Sequence, residues 1–548
     1  MPRVLAIHLD GYEQSLGRHL MSAGEMPEMS RLAASSARFL LDHGSAQRTG
    51  LAGEHVATGL SPEAAGRASA VHFDPRTYEI WQEGTRLRPF PATLDCKTVV
   101  FDPTYFDLDA APNVRGIVSW GAHDPGVLQA ARPTDLLADF NARFGAYPAP
   151  QWIYGFAWPS PETAGAMGSE LARAVDVRAA AAHWLLAERL PDWDFALVAV
   201  SEPHSAIEAL WHGVDPSHPL HGLPSAAPAG AGIRAVYRAV DRLVGKLAAA
   251  FPDALTLVFA MGGMGPNRSD LTSMLLLPEL MYRNAFGSAL LRQVPGWSSS
   301  PEKVPILPSS TASWDESMQR LFPTRAPARS ADPEHPERLP LDWMPATHYQ
   351  PFWHAMPAFA LPSFYDGRIR LNLIGRESRG MVGIGEYRRA LAAVERLIRD
   401  CIDPATGEGV VDFVEYPAIE TPGELASTEA DLIVVWKGTT RSFEHPSLGR
   451  IGPVAYRRTG GHTGPFGMAY IRADGAGAGD RGVRSAFDVV PTLIDLLGYP
   501  ADRHISGRSL LSDPIANAAE LRPAIGPLSG GRAAGRISAP PRSPVRTP

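Results

Sequence analysis

Apolar and polar positions along the chain follow two rhythms. Short, nearly unbroken apolar runs occur at RVLAIHL (3–9), VRGIVSW (114–120), WDFALVAVS (193–201), ALTLVFA (254–260) and DLIVVW (431–436). Runs of this kind suit strands covered on both faces. Between them lie longer stretches with apolar residues three and four apart: MPEMSRLAASSARFL (26–40), ELARAVDVRAAAAHWLLAERL (170–190), GIRAVYRAVDRLVGKLAAAF (232–251), GEYRRALAAVERLIRDCI (385–402) and SAFDVVPTLIDLLGYP (485–500). That spacing predicts helices, the last holding Pro491 near its start, where a proline is tolerated. The alternation predicts an α/β fold with a mostly parallel central sheet and helices on both faces. A Pro- and Ser-rich stretch from about 295 to 345 predicts a course over the surface. Beyond residue 512 the chain is basic, Pro/Gly/Ser-rich and without apolar period, which predicts a flexible tail.

Composition narrows the class. The chain is 45% apolar and 20% charged, as expected of a globular protein. Fifty-one Lys and Arg against 58 Asp and Glu leave a net charge of −7, which gives no electrostatic reason to expect nucleic acid or an anionic membrane as partner. Cys96 and Cys401 are the two cysteines, too few for a disulfide framework or a Cys-based metal site. The N-terminus enters a strand pattern without a leader, and no apolar stretch is long enough to span a bilayer. The expectation is a cytoplasmic protein with a small-molecule partner and without nucleic-acid or membrane partners, a homodimer being left open.

Four places carry candidate chemistry. Asp10, in His8-Leu9-Asp10-Gly11, stands at the C-terminal end of the first strand pattern, where open sheets present ligands; a turn-capping Asp is the alternative. Thr49, in QRTGLAGEHVATGLSPE (47–63), precedes a short helix pattern whose backbone N–H groups suit a phosphoryl oxygen; an ordinary cap would read the same way. In SEPHSAIEALWHGVDPSHPLHG (201–222), a helix over 204–211 puts His204 and Glu208 on one face, able to share a cation. Glu202, His212, Asp215 and His218 add candidates there, and a surface Glu/His pair is the bland alternative. His462, in RRTGGHTGPFGMAYIRADG (457–475), sits in a glycine loop that lets backbone approach an anion.

These positions carry a resemblance. Asp10, Thr49 and Thr58-Gly59, then VRGIVSWGAHDPG (114–126), HSAIEALWHGVDPSHP (204–219), IRLNLIGRESRGMV (369–382), DPATGEGVV (403–411), DLIVVW and DVVPTLIDLLGYPADRHISGRSL (488–510) follow in the order of the alkaline phosphatase superfamily. The chain resembles its type I phosphodiesterase/nucleotide pyrophosphatase branch and that branch's bacterial phosphohydrolase- or phosphomutase-like relatives. The resemblance implies an alkaline-phosphatase-like core in two parts, 1–270 and 431–512, an inserted cap-like region at 271–430 and a tail at 513–548. It implies that Thr49 is the nucleophile and Asp10 a metal-binding carboxylate. The family's Asp-x-x-x-His-x-x-Trp pattern falls, through Trp211, on His204 and Glu208 with the residue types exchanged, and His462 matches the late metal-binding His. Where the family has Ser-Asp-His-Gly, this chain reads Ala260-Met261-Gly262-Gly263, so the site of Asp10 and Thr49 has lost two of its four ligands.

The implied centre therefore holds one metal ion, bound by His204, Glu208 and His462 beside Asp10. A two-His, one-Glu set suits Zn2+ with an open position, with Mn2+ or Mg2+ as alternatives. Arg48 and His123-Asp124 are available to stand in for the missing cation, and Arg376 serves either an anionic substrate or a structural ion pair. The implied activity is hydrolysis or group transfer on a phosphate, phosphonate or sulfate ester, on a small or nucleotide-like substrate. A catalytically inactive metal- or anion-binding scaffold, or a different metal-assisted reaction on the same fold, remains open.

Overall fold

The computed structural model describes residues 2–512 except 86, 158–159, 293–313, 324–334, 336–337 and 418. In chain order its main strands are β1 (Val4–Leu9), β2 (Ala37–Asp42), β3 (Thr98–Phe101), β4 (Val114–Val118), β5 (Ala130–Arg132), β6 (Phe195–Val200), β7 (Leu255–Ala260), β8 (Gly263–Pro266), β9 (Ala358–Leu361), β10 (Gly367–Leu371), β11 (Val411–Glu415), β12 (Leu432–Trp436), β13 (Gly460–Gly464), β14 (Gly467–Arg472) and β15 (Gly479–Ser485). Nine of them form one sheet in the order β15-β2-β14-β7-β1-β6-β3-β4-β5. β1 is central and parallel to both β6 and β7, and β3 is parallel to β6 and β4. β14 runs antiparallel between β7 and β2, and β5 is antiparallel at the edge. The fold is thus α/β with a mostly parallel central sheet. Every residue of β1 and β6 is buried, which is why those runs lack polar alternation.

The helices that matter here are α1 (Pro27–Ala34), α2 (Ala52–Thr58), α3 (Pro161–Trp184), α4 (Glu202–Leu210), α5 (Ala226–Ala250), α6 (Tyr387–Arg399) and α7 (Val489–Leu496). The small residues of α3 and α5 face one another, and both helices bury one side in the main core with β1, β6 and β7. Their burial against the sheet, rather than propensity alone, holds them.

Two expectations change. The helix read over 26–40 ends at Ala34, and Ala37–Asp42 is β2. Its Arg38-Phe39-Leu40-Leu41 pairs β14 on one side and β15 on the other, so sheet pairing overrides a spacing that fits a helix. The stretch from 295 to 345 does not run wholly over the surface. Trp314, Met318 and Met344 are fully buried, and the Trp314 indole N–H donates to the Ala455 carbonyl at 2.8 Å. The tail expected beyond 512 lies outside the described residues.

A second sheet, β9-β10-β12-β11, is antiparallel throughout. It shares a separate core with Leu271–Met281, Trp353 and α6. No helix among the described residues is long and apolar enough to cross a membrane.

Candidate metal centre

The parallel strands deliver the chemistry to one edge. Asp10 follows β1, Met261-Gly262 follows β7, Asp102 follows β3, and α4 starts two residues after β6. This is the carboxyl edge, where open sheets present ligands. Two glycines let the pieces close. Gly11 has φ +62°, and a Cβ there would lie 2.5 Å from the His204 Cα. A Cβ on Gly460 would lie 2.3 Å from the Ile207 carbonyl oxygen, where β13 passes α4 and the Thr459 N–H donates to the Glu208 carbonyl at 2.6 Å.

His204 is the hub. Its Nδ1 lies 3.0 Å from Asp10 Oδ2, and its Nε2 lies 3.0 Å from His462 Nε2 and 3.3 Å from Glu208 Oε1. The structure therefore brings together Asp10, His204, Glu208 and His462, which come from three distant parts of the chain. His123 joins them from the loop after β4. Its ring stacks on that of His204 at 3.9 Å between centroids, and its Nε2 lies 3.5 Å from Glu208 Oε2. One donor atom each from His123, His204 and Glu208 lies within 4.8 Å of the others, and all three residues are buried.

Charge is balanced inside the cluster. Burial opposes the His204 imidazolium, but the Asp10 and Glu208 carboxylates outweigh it and hold its pKa up at about 10. Burial likewise opposes the Asp10 carboxylate, and His204 wins and holds it well below the usual range. Glu208 is held low against burial chiefly by the Arg458 guanidinium, then by His123 and His204; Arg458 Nη1 donates to Glu208 Oε1. Burial, reinforced by His204, pushes His123 down to about 4 and His462 to about 3, so both offer neutral nitrogens.

The donor set fits one cation. His123 Nε2 and Glu208 Oε2 face one another, and among the described residues neither has a hydrogen-bond partner. Leaving buried polar atoms unpaired costs about 1–3 kcal/mol each, which an ion between them would relieve. Neutral imidazoles and a carboxylate are the ligand types that hold Zn2+; His123 and His462 already offer neutral rings, and His204 would join them once an ion displaces its proton.

A second buried network aims these residues. Arg178, fully buried, donates to Asp102 Oδ2 at 2.8 Å and to both Glu202 oxygens at 3.0 and 3.1 Å. Asp102 also accepts the Trp120 and Gly121 N–H groups at 2.7 and 2.9 Å, fixing the loop that carries His123. Glu202 opens α4. Asp102, Ser119 and Asp124 have φ of 59°, 59° and 46°, a left-handed backbone that costs non-glycine residues about 1–3 kcal/mol and concentrates at functional sites. Glu202 is therefore spent on Arg178. Elsewhere, His212 pairs with the Ser225 hydroxyl at 3.2 Å, Asp215 accepts from Trp211 and Ser217, and the His218 Nδ1 accepts the Leu220 N–H. Arg376 forms a structural pair with Asp431 and Glu377.

Thr49 and Arg48 end a 3-10 turn, Gly44–Arg48. The Thr49 hydroxyl donates to the Ala46 carbonyl at 2.8 Å and accepts the Leu51 N–H at 3.2 Å. Arg48 is committed to Glu415 of β11 at 2.7 Å, with Asp366 at 3.7 Å. A cleft of about 230 Å³ lies beside them, lined by Gln47, Arg48, Arg268, Tyr365, Trp436 and His462 among others. At Met261-Gly262 the place of the missing pair is partly taken by Gln47. Its amide donates to the Gly263 and Gly464 carbonyls at 3.1 Å each, and a Cβ on Gly262 would meet Gln47 Oε1 at 3.0 Å.

Sequence reasoning left His123 outside the ligand set and missed Arg458 and Gln47. His123 lies in VRGIVSWGAHDPG, where nothing local says that its ring lies on His204. Arg458 lies four residues before His462.

The chain is a member of the alkaline phosphatase superfamily, and its carboxyl-edge cluster of imidazoles and carboxylates is an incomplete metal site. More narrowly, the chain belongs to the type I phosphodiesterase/nucleotide pyrophosphatase family, whose sequence profile matches residues 4–282. No curated protein sequence matches it. Solved structures similar to it include phosphonoacetate hydrolase from Sinorhizobium meliloti 1021 in complex with phosphonoformate, 14% identical, covering 91% of this chain and 96% of that one with a TM-score of 0.48. Murine ectonucleotide pyrophosphatase/phosphodiesterase 5, in an inactive form in complex with AMP, is 11% identical over 92% of this chain and 97% of its own, with a TM-score of 0.42. The human protein of that name is 10% identical over 92% and 96%, with a TM-score of 0.41. At these values neither substrate nor mechanism transfers. Family membership and the candidate site together support a hydrolase, phosphodiesterase-like role.

Proposed function

We propose that the protein hydrolyses or transfers the phosphoryl group of a small phosphate ester, or acts likewise on a phosphonate or sulfate ester, using Thr49 as nucleophile and one divalent cation. His204, Glu208 and His462, with His123 added and Asp10 adjacent, would hold that cation, Zn2+ being the ion the donor set favours. The observation that carries the reading is the meeting of four residues at His204, with Glu208 and His462 on its Nε2 and Asp10 on its Nδ1. When bound, the ion supplies Lewis-acid stabilisation of charge on the transferring group. Thr49 Oγ1 bonds to phosphorus as the P–O bond to the ester oxygen breaks, the Thr49 proton passing to the departing oxygen; water or another acceptor then forms its own bond to phosphorus and returns a proton to Thr49. For that step the hydroxyl must turn away from the Ala46 carbonyl, while the Leu51 N–H is one donor already aimed at it. Residues 271–430 act as a cap, bringing Tyr365 to within 4.5 Å of the His462 ring, centroid to centroid, and Glu415 onto Arg48.

The test is metal content and turnover together. Protein purified without chelators carries one ion per chain and cleaves a nitrophenyl phosphate, phosphonate or sulfate ester. Thr49→Ala abolishes turnover and keeps the ion, and His462→Ala loses both. Two tightly held ions, or none, refute the one-metal reading. Bound metal without turnover on any ester favours a second reading, a non-catalytic metal- or anion-binding member, for which the Thr49 proton resting on a backbone carbonyl is the specific support.

A further inference from the structure

Glu208 is shared between two claims. Its Oε1 accepts from Arg458 and faces His204, while its Oε2 is the unpartnered oxygen opposite His123. Arg458 is buried and carries the permanent charge of a guanidinium. Among the described residues its Nε has no hydrogen-bond partner, so Glu208 is the one side chain that the guanidinium is seen to bond there. Resting on the proposal of a metal at this carboxylate, we infer that Arg458 is an internal competitor for that metal: guanidinium and cation exchange on Glu208, and Arg458 sets how tightly the ion is held.

The physical ground is simple. A monovalent guanidinium already pairs with one oxygen of the buried Glu208 carboxylate, where opposite charges interact strongly. An incoming ion must share Glu208 with a like charge or displace it. Asp270 and Asp124 are the other carboxylates that act on the Arg458 charge; Asp270 receives Arg457 Nη1 at 3.3 Å, and Asp124 lies 3.6 Å from His123 Nε2.

The experiment titrates the full chain with Zn2+ and separately with Mn2+ against a chromophoric chelator, for the wild type, Arg458→Gln, Arg458→Lys and Arg268→Gln. Arg458→Gln binds the ion about tenfold or more tightly, the scale on which residues behind metal ligands shift affinity. Arg458→Lys is intermediate, because its shorter ammonium reaches Glu208 less well, and it carries the test if Arg458→Gln does not fold. Arg268→Gln, which removes an exposed charge from the neighbouring cleft, stays near the wild type. Equal or weaker binding in the Arg458 variants overturns the exchange and leaves the metal-dependent reading standing. A tightening as large in Arg268→Gln as in Arg458→Gln overturns it too, since bulk charge would then be the cause. No bound ion in any of the four proteins overturns both.

Discussion

Single side chains in this molecule are read by what surrounds them. His43 and His55 share a hydrogen bond at 3.0 Å against Phe487, and burial holds His43 at about 4 and His55 well below its ordinary value. Burial likewise lowers His212 to about 3 and His218 to about 4. Each is neutral in the folded protein while the unfolded chain takes up a proton near pH 6.5. The unfolded state therefore binds more protons between about pH 6.5 and 4, and stability falls as pH drops through that window, by at most about 1.4 kcal/mol per unit for each group. Urea unfolding at pH 7.5, 5.5 and 4.5 should show the loss, and a flat profile would contradict it. Thr49 was read from the sequence both as a nucleophile and as a cap, and its hydroxyl is seen in the capping geometry. Thr49→Ser should therefore retain turnover of the ester substrate and Thr49→Ala should lose at least about a thousandfold in kcat. Equal activity in wild type and Thr49→Ala would remove Thr49 from the chemistry.

At the scale of elements, the site is a matter of close approach. α4 can present His204 to Asp10 only because residue 11 has no side chain. Gly11→Ala would combine a left-handed backbone with overlap against His204, destabilising by about 2–4 kcal/mol and separating Asp10 from His204. Thermal unfolding and metal affinity of this variant should both fall; a variant as stable as the wild type would mean that the loop relaxes freely. The four-residue spacing of His204 and Glu208 was legible, because a helix places such a pair on one face whatever it packs against. The strand β2 was not, because its Phe39-Leu40-Leu41 spacing satisfies both periods and only β14 and β15 decide between them. Nor was the burial of Trp314 and Met318, since a Pro-rich flank says nothing of what a short helix meets.

For the whole molecule, the question is how many ions the folded chain retains. Gln47 occupies part of the space that the Met261-Gly262 change leaves, so Met261→Asp with Gly262→His gains a second ion only when Gln47→Ala accompanies them. Metal analysis should give one ion for the wild type and two for the triple variant, and a count unchanged by the triple substitution would show that these positions do not line the site. The sequence by itself determined the α/β class and the mostly parallel sheet, and it named Asp10, His204, Glu208 and His462 as candidates that the fold then brings together, because apolar period, helical spacing and motif order are properties of consecutive residues. Tertiary structure alone decided that His123 stacks on His204, that Arg458 takes Glu208, that Gln47 fills the vacated corner and that Arg178 aims both loops. Those contacts join residues tens to hundreds of positions apart, and their distances and charge balance exist only once the sheet has brought its carboxyl edge together.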